Sequence, residues 1–129
     1  MDIAAEGPVY DRAWWRESII YQVYVHSFKD TTGNGIGDLN GVTEKLPYLD
    51  ELGIDIIWLS PVYESPLTDM GYDISNYESI NPLYGGMQEW KRLLDEAGKH
   101  NIKLIMDLVV NHTSNEVSFQ SPGCSRVIC

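Results

Sequence analysis

Residues 54–61 read IDIIWLSP and residues 102–112 read IKLIMDLVVNH. Each is a short run of β-branched and aliphatic residues that ends on a proline or a polar cluster, the pattern of a strand covered on both faces in a parallel sheet. Between them Met87, Trp90, Leu94 and Ala97 mark an amphipathic helix running to about Gly98, with Lys99 and His100 suited to its negative C-terminal end. Upstream, residues 19–24 (IIYQVY) read as a further buried strand. Val42, Leu46, Leu49 and Leu52 then place one apolar stripe on a helix that Gly53 ends and that Pro47 is expected to kink early.

The order strand, helix, strand, helix, strand predicts an α/β fold: a parallel sheet with right-handed crossovers and helices packed outside. The segment from Ser60 to Pro82 is read as a long polar loop. Three strands neither close a barrel nor cover their own edges, and a complete barrel of this type takes about 250 residues. Ile20, Ile56, Ile57, Leu104 and Met106 are therefore expected to point toward side chains of strands that these residues do not include.

At 129 residues the chain has room for one core. Hydrophobic residues make up 43% and charged residues 22%, the balance of a globular protein rather than a disordered one. A net charge of −10 opposes phosphate backbones and anionic membranes, so no nucleic acid or membrane partner is expected. No apolar run reaches the roughly 18 residues of a membrane span, and the acidic start is unlike a signal peptide. Cys124 and Cys129 both lie at the end, which leaves the body without a disulfide framework and suggests a reducing, cytoplasmic setting.

Ligands of parallel α/β proteins bind at the carboxyl ends of the strands. Asp107 interrupts an apolar strand and needs hydrogen-bond partners; Asn111 and His112 emerge just beyond it, to serve as those partners or to face a ligand. Asp69 and Tyr72, in SPLTDMGYD, pair a carboxylate that can accept from vicinal hydroxyls with an aromatic face that can stack on a sugar, or else belong to an ordinary turn around Gly71. The loop from Asp30 to Asp38 alternates oxygen-bearing residues with glycines. Asp30, Thr32, Asn34, the Ile36 carbonyl and Asp38 either converge on a hard cation such as Ca²⁺ or form a metal-free turn, and position twelve is Gly41 rather than a bidentate Glu. Trp14 and Trp15 read as packing residues or as a sugar platform.

Together the segments WW…YQVY, SFKDTTGNGIGDLNGV, LGIDIIWLSPVYESP, DMGYDISNY and MDLVVNHTS resemble the α-glucosidase branch (maltases and oligo-1,6-glucosidases) of the α-amylase superfamily. The resemblance implies an N-terminal fragment of a (β/α)₈ TIM barrel over residues 14–117, preceded by an extension at 1–13 and followed by a divergent tail at 118–129. By the same resemblance Asp69, Tyr72 and His112 hold the terminal glucose, Asp107 and Asn111 shape the pocket, and residues 30–38 form the cation loop. The parent would be a retaining α-glucosidase acting on maltose- or isomaltose-like oligosaccharides without an organic cofactor.

Departures from the family pattern are Thr32 and Asn34 in the loop, Val25 and His26 before SF, and Asn115-Glu116-Val117 after NHTS. Retaining cleavage needs two carboxyl groups about 5 to 5.5 Å apart, and in this family they follow later strands. The expectation is that these residues supply the sugar pocket, with the remainder of the barrel as partner. A short form that binds sugar or another partner without catalysis is the competing reading.

Overall fold

The computed structural model describes residues 14–117, so the N-terminal extension and the C-terminal tail lie outside the described residues. A single helical turn α1 (Trp14–Glu17) leads to β1 (Ile20–Val23), the short α2 (Val25–Phe28) and α3 (Leu39–Glu51). Then come β2 (Ile56–Leu59), β3 (Tyr63–Glu64), β4 (Asn76–Ile80), a 3₁₀ turn (Pro82–Tyr84), α4 (Met87–Lys99) and β5 (Lys103–Met106). β1, β2 and β5 form a parallel sheet in that order. This is the α/β arrangement read from the sequence.

Both long helices hand the chain to the next strand by the same device. After α3, Gly53 sits at φ 82°, its N–H donates to the Asp50 carbonyl, and the Ile54 N–H donates back to Leu49. After α4, Asn101 takes φ 57° and Ile102 N–H donates to Ala97. These are Schellman closures, in which a left-handed Gly or Asn satisfies the last carbonyls and turns the chain toward its following apolar residue. At the other end of α3, the Asp38 carboxylate accepts from the Gly41 N–H at 2.7 Å. The helix continues through Pro47 to Glu51.

The register sorts the strand residues into two faces. Tyr21, Ile57 and Leu104 form one row and Val23, Leu59 and Met106 the next, both packed on Leu39, Val42, Leu46 and Leu49 of α3 and on Leu93 and Ala97 of α4. Ile57, Leu104 and Met106 thus serve the helix-facing core, not the barrel interior proposed for them. The inner rows are Ile20, Ile56 and Lys103, then Gln22, Trp58 and Ile105. Ile20 and Ile105 remain 50% and 44% exposed, while Ile56 is buried. A continuous apolar run cannot distinguish its faces, which is why this division escapes a reading of the sequence.

The segment read as a polar loop contains an antiparallel pair, β3 with β4. NYESI has too few apolar positions for its alternation to register. Its role is to bring side chains over the ends of β2 and β5.

Candidate functional site

The parallel strands end together. The Ser60 N–H donates to Val23 and the Asp107 N–H to Leu59, which extends the ladder just beyond the strands and sets Ser60 and Asp107 at the carboxyl edge. Asp107 is half-buried there. Its Oδ2 accepts from the Tyr72 hydroxyl at 3.0 Å and its Oδ1 from the Trp58 indole at 3.1 Å. Asp107 thus has hydrogen-bond partners, but they are Tyr72 and Trp58 rather than Asn111 and His112, which pair with each other.

Tyr72 arrives on a constrained loop. Gly71 takes φ 99°, and a Cβ there would approach the Pro61 carbonyl to 3.0 Å. Asp73 is buried, and its carboxylate accepts from the Ser65 hydroxyl at 2.8 Å and the Thr68 N–H at 2.9 Å. Burial works to raise the Asp73 carboxyl, but these donors outweigh it and hold it below the usual range. Burial raises the Tyr72 phenol, and the adjoining Asp107 adds to that. The Tyr24 hydroxyl reaches the Met70 sulfur at 3.4 Å from the other side of the loop.

His112 stands across the opening with its Nε2 3.9 Å from the Asp69 Oδ2; both side chains are exposed. The Asn111 amide donates to His112 Nδ1. The Nε2 edge of His112 is therefore the one turned toward Asp69. The segment bearing them is fastened by Tyr77 of β4, whose hydroxyl donates to the Val109 carbonyl at 2.6 Å, and by the Ser114 N–H donating to Ile74 at 3.0 Å.

All five expected pocket residues therefore gather at one edge: Asp69 with His112, Tyr72 with Asp107, and Asn111 behind His112. Trp58, Asp73 and Tyr77 were not singled out in the sequence. Trp58 looked like strand core, and the hairpin that presents Tyr77 was hidden in the loop. Trp14 lies at the opposite, amino end of the strands, where the Lys103 ammonium sits 4.5 Å over its ring. It is not a platform for this site.

The 30–38 loop closes on itself. The Asp30 carboxylate accepts from Thr32, Gly33 and Gly35, and the N–H of Gly35 is the largest influence keeping it below the ordinary carboxylate range. Asp38 accepts from Thr31 and Gly41, and the Asn34 side chain from the Ile36 N–H. The donor set of hard oxygens suits Ca²⁺ in kind but brings only two charges, and loop amides already occupy much of both carboxylates. Among the described residues no three His, Cys, Asp or Glu side chains are grouped to hold a metal. Gly37 lets the loop lie against α2, and Gly41 lets the first turn of α3 lie against Lys29, since a Cβ would come within 2.0 Å of the Val25 carbonyl and 2.1 Å of the Lys29 carbonyl.

Three parallel strands with outer helices and a polar cluster at their carboxyl edge match the N-terminal part of a TIM-barrel glycoside hydrolase. The family described as alpha amylase, catalytic domain, matches residues 22–124, and the chain belongs to it. It is 59% identical over 106 residues to oligo-1,6-glucosidase of Bacillus cereus, covering 82% of this chain and 19% of that protein. A crystal structure of trehalose-6-phosphate hydrolase from Bacillus licheniformis superposes with a TM-score of 0.79 at 59% identity, over 81% of this chain and 19% of that one. The isomaltulose synthase of Protaminobacter rubrum gives 0.79 at 55% identity over the same shares. The chain thus spans about a fifth of the length of these relatives. Among the described residues no helix is long and apolar enough to cross a membrane.

Proposed function

We propose that Asp69, Tyr72 and His112 bind the terminal glucose of an α-glucoside, with Asp107 and Asn111 ordering the pocket, as part of a retaining α-glucosidase. The observation that carries this is the gathering of all five at the carboxyl edge of three parallel strands, where barrel enzymes place their chemistry. Asp69 presents an exposed carboxylate to vicinal hydroxyls, and the His112 Nε2 is placed to bond the same sugar. The Tyr72 hydroxyl is engaged by Asp107, which leaves its ring face for stacking.

In this reading the nucleophile and the acid come from parts of the barrel outside these residues. The wider family context supports a glucoside substrate, since its members here are named for 1,6-linked glucosides and trehalose-6-phosphate. A bound Ca²⁺ would be held by Asp30, Thr32, Asn34, the Ile36 carbonyl and Asp38 and would brace the loop.

Saturation-transfer NMR with maltose and isomaltose tests the proposal. Binding that is lost in Asp69→Ala and His112→Ala is expected, and binding unaffected by either substitution overturns it. A chromogenic α-glucoside should not be turned over by this chain, because positioning without a nucleophile leaves the barrier nearly intact. Turnover that co-purifies with the chain and disappears in His112→Ala would end the division of labour proposed here.

A further inference from the structure

Trp58 occupies a strand position whose neighbours in sequence are buried aliphatics, yet its polar edge does not serve packing. It stands opposite Ile105 on the inner face, and Asp107 follows two residues further along on that face, within diagonal reach. The indole N–H meets Oδ1 of Asp107 at 3.1 Å while the Tyr72 hydroxyl meets Oδ2 at 3.0 Å. Each carboxylate oxygen has its own neutral donor, one from β2 and one from the 65–75 loop. An indole donates and cannot accept, and it carries no charge. It therefore fixes the rotation of a carboxylate without neutralising it, where an Arg or Lys in the same place would do both.

The donors extend backward as well. Gln22 Nε2 of β1 donates to the Ser60 hydroxyl at 3.3 Å, and Ser60 lies close enough to Tyr72 to oppose the rise in its phenol. A line of polar contacts thus runs from Gln22 of β1 to Ser60, beside Tyr72, which with Trp58 of β2 bonds Asp107.

We infer that Trp58 is a positioning residue of the sugar site: with Tyr72 it holds Asp107 in one orientation, both oxygens engaged, so that Asp107 orders the pocket. This rests on the sugar-site reading above. Nothing in it requires Trp58 to touch the sugar.

The ¹⁵N-labelled chain has four tryptophans and so four indole N–H signals, and Trp58→Phe identifies the one concerned. That signal is expected downfield of the others and slow to exchange. Asp107→Ala should return it to the free-indole position, Asp107→Asn should keep part of the shift because an amide oxygen still accepts, and Tyr72→Phe should leave it in place. Maltose affinity should fall about tenfold in Trp58→Phe, the usual scale of a lost hydrogen bond to a charged group. An indole signal indifferent to Asp107→Ala overturns the inference, as does one unresolved indole envelope, since the arrangement then does not form. Equal maltose affinity in wild type and Trp58→Phe removes the role of Trp58 and keeps the sugar reading. The expected indole pattern with no maltose binding instead removes the sugar site.

Discussion

Leu59→Ala and Ile105→Ala remove aliphatic bulk from neighbouring strands on opposite faces of the sheet, and the structure assigns them very different costs. Leu59 is fully buried, in register with Val23 and Met106 and covered by α3 and α4. Truncating such a residue removes its transfer free energy and leaves a cavity, about 2 to 5 kcal/mol. Ile105 is already 44% exposed on the inner face. Roughly half of the 1.5 to 3 kcal/mol that complete burial of an aliphatic provides is still available to lose, and no enclosed cavity forms, so its truncation should cost about 1 kcal/mol or less. Urea unfolding followed by far-UV circular dichroism reads the difference. The two costs differ by about 1 to 4 kcal/mol, so with a slope of about 2 kcal/mol per molar the Leu59→Ala midpoint should fall about 0.5 to 2 M below that of Ile105→Ala. Equal midpoints, or a larger loss for Ile105→Ala, would refute the assignment of faces. A wild-type chain without a cooperative transition would refute the packed sheet itself.

Burial pushes the Tyr84 phenol up from 10.0 to about 12, so between those values the folded chain keeps a proton that the unfolded chain releases. The corresponding stability is present below about pH 10 and is lost as pH rises toward 12, by about 3 kcal/mol, and Tyr84→Phe should flatten the fall in urea midpoint between about pH 9 and about pH 11.5. Asp38→Ala removes the N-cap of α3 together with its bonds to Thr31, and should lower stability by about 1 to 2 kcal/mol in the same assay. Millimolar Ca²⁺ should shift the thermal midpoint little, and Thr32→Asn combined with Asn34→Asp should raise calorimetric Ca²⁺ affinity by restoring a charge. Tight stoichiometric binding by the unmodified chain, abolished by Asp38→Ala, would contradict that.

The strands and long helices were legible because their signals are local: apolar runs, a stripe at helical spacing, and Gly53 where a helix must stop. The candidate residues Asp69, Tyr72, Asp107, Asn111 and His112 stood out because polar groups follow apolar strands there and because the surrounding motifs resemble a known family; the residues alone left a structural reading open for each, and what the structure adds is that they gather at one edge. Trp58 was not, since an indole in an apolar strand looks the same whether its N–H is idle or bonded to a residue 49 positions away. The β3–β4 pair was missed for a related reason. Its stability comes from pairing and from Tyr77 reaching Val109, contacts that no window of local sequence contains. Facing was lost in the same way, as Ile57 and Ile105 differ in burial and not in kind.

The bonds that assemble the candidate site join residues separated by 35, 38 and 49 positions. Such closures form late and at an entropic cost, so the cluster exists only once all three strands are aligned. A glucoside held between Asp69 and His112 would bridge the second and third strand ends and would have no counterpart in the unfolded chain. Sugar concentration then becomes a folding variable: at a hundredfold excess over the dissociation constant it would add about 2.7 kcal/mol to the native state. If the proposed site binds, a glucoside in the growth medium or the refolding buffer would act as a chaperone for this sheet.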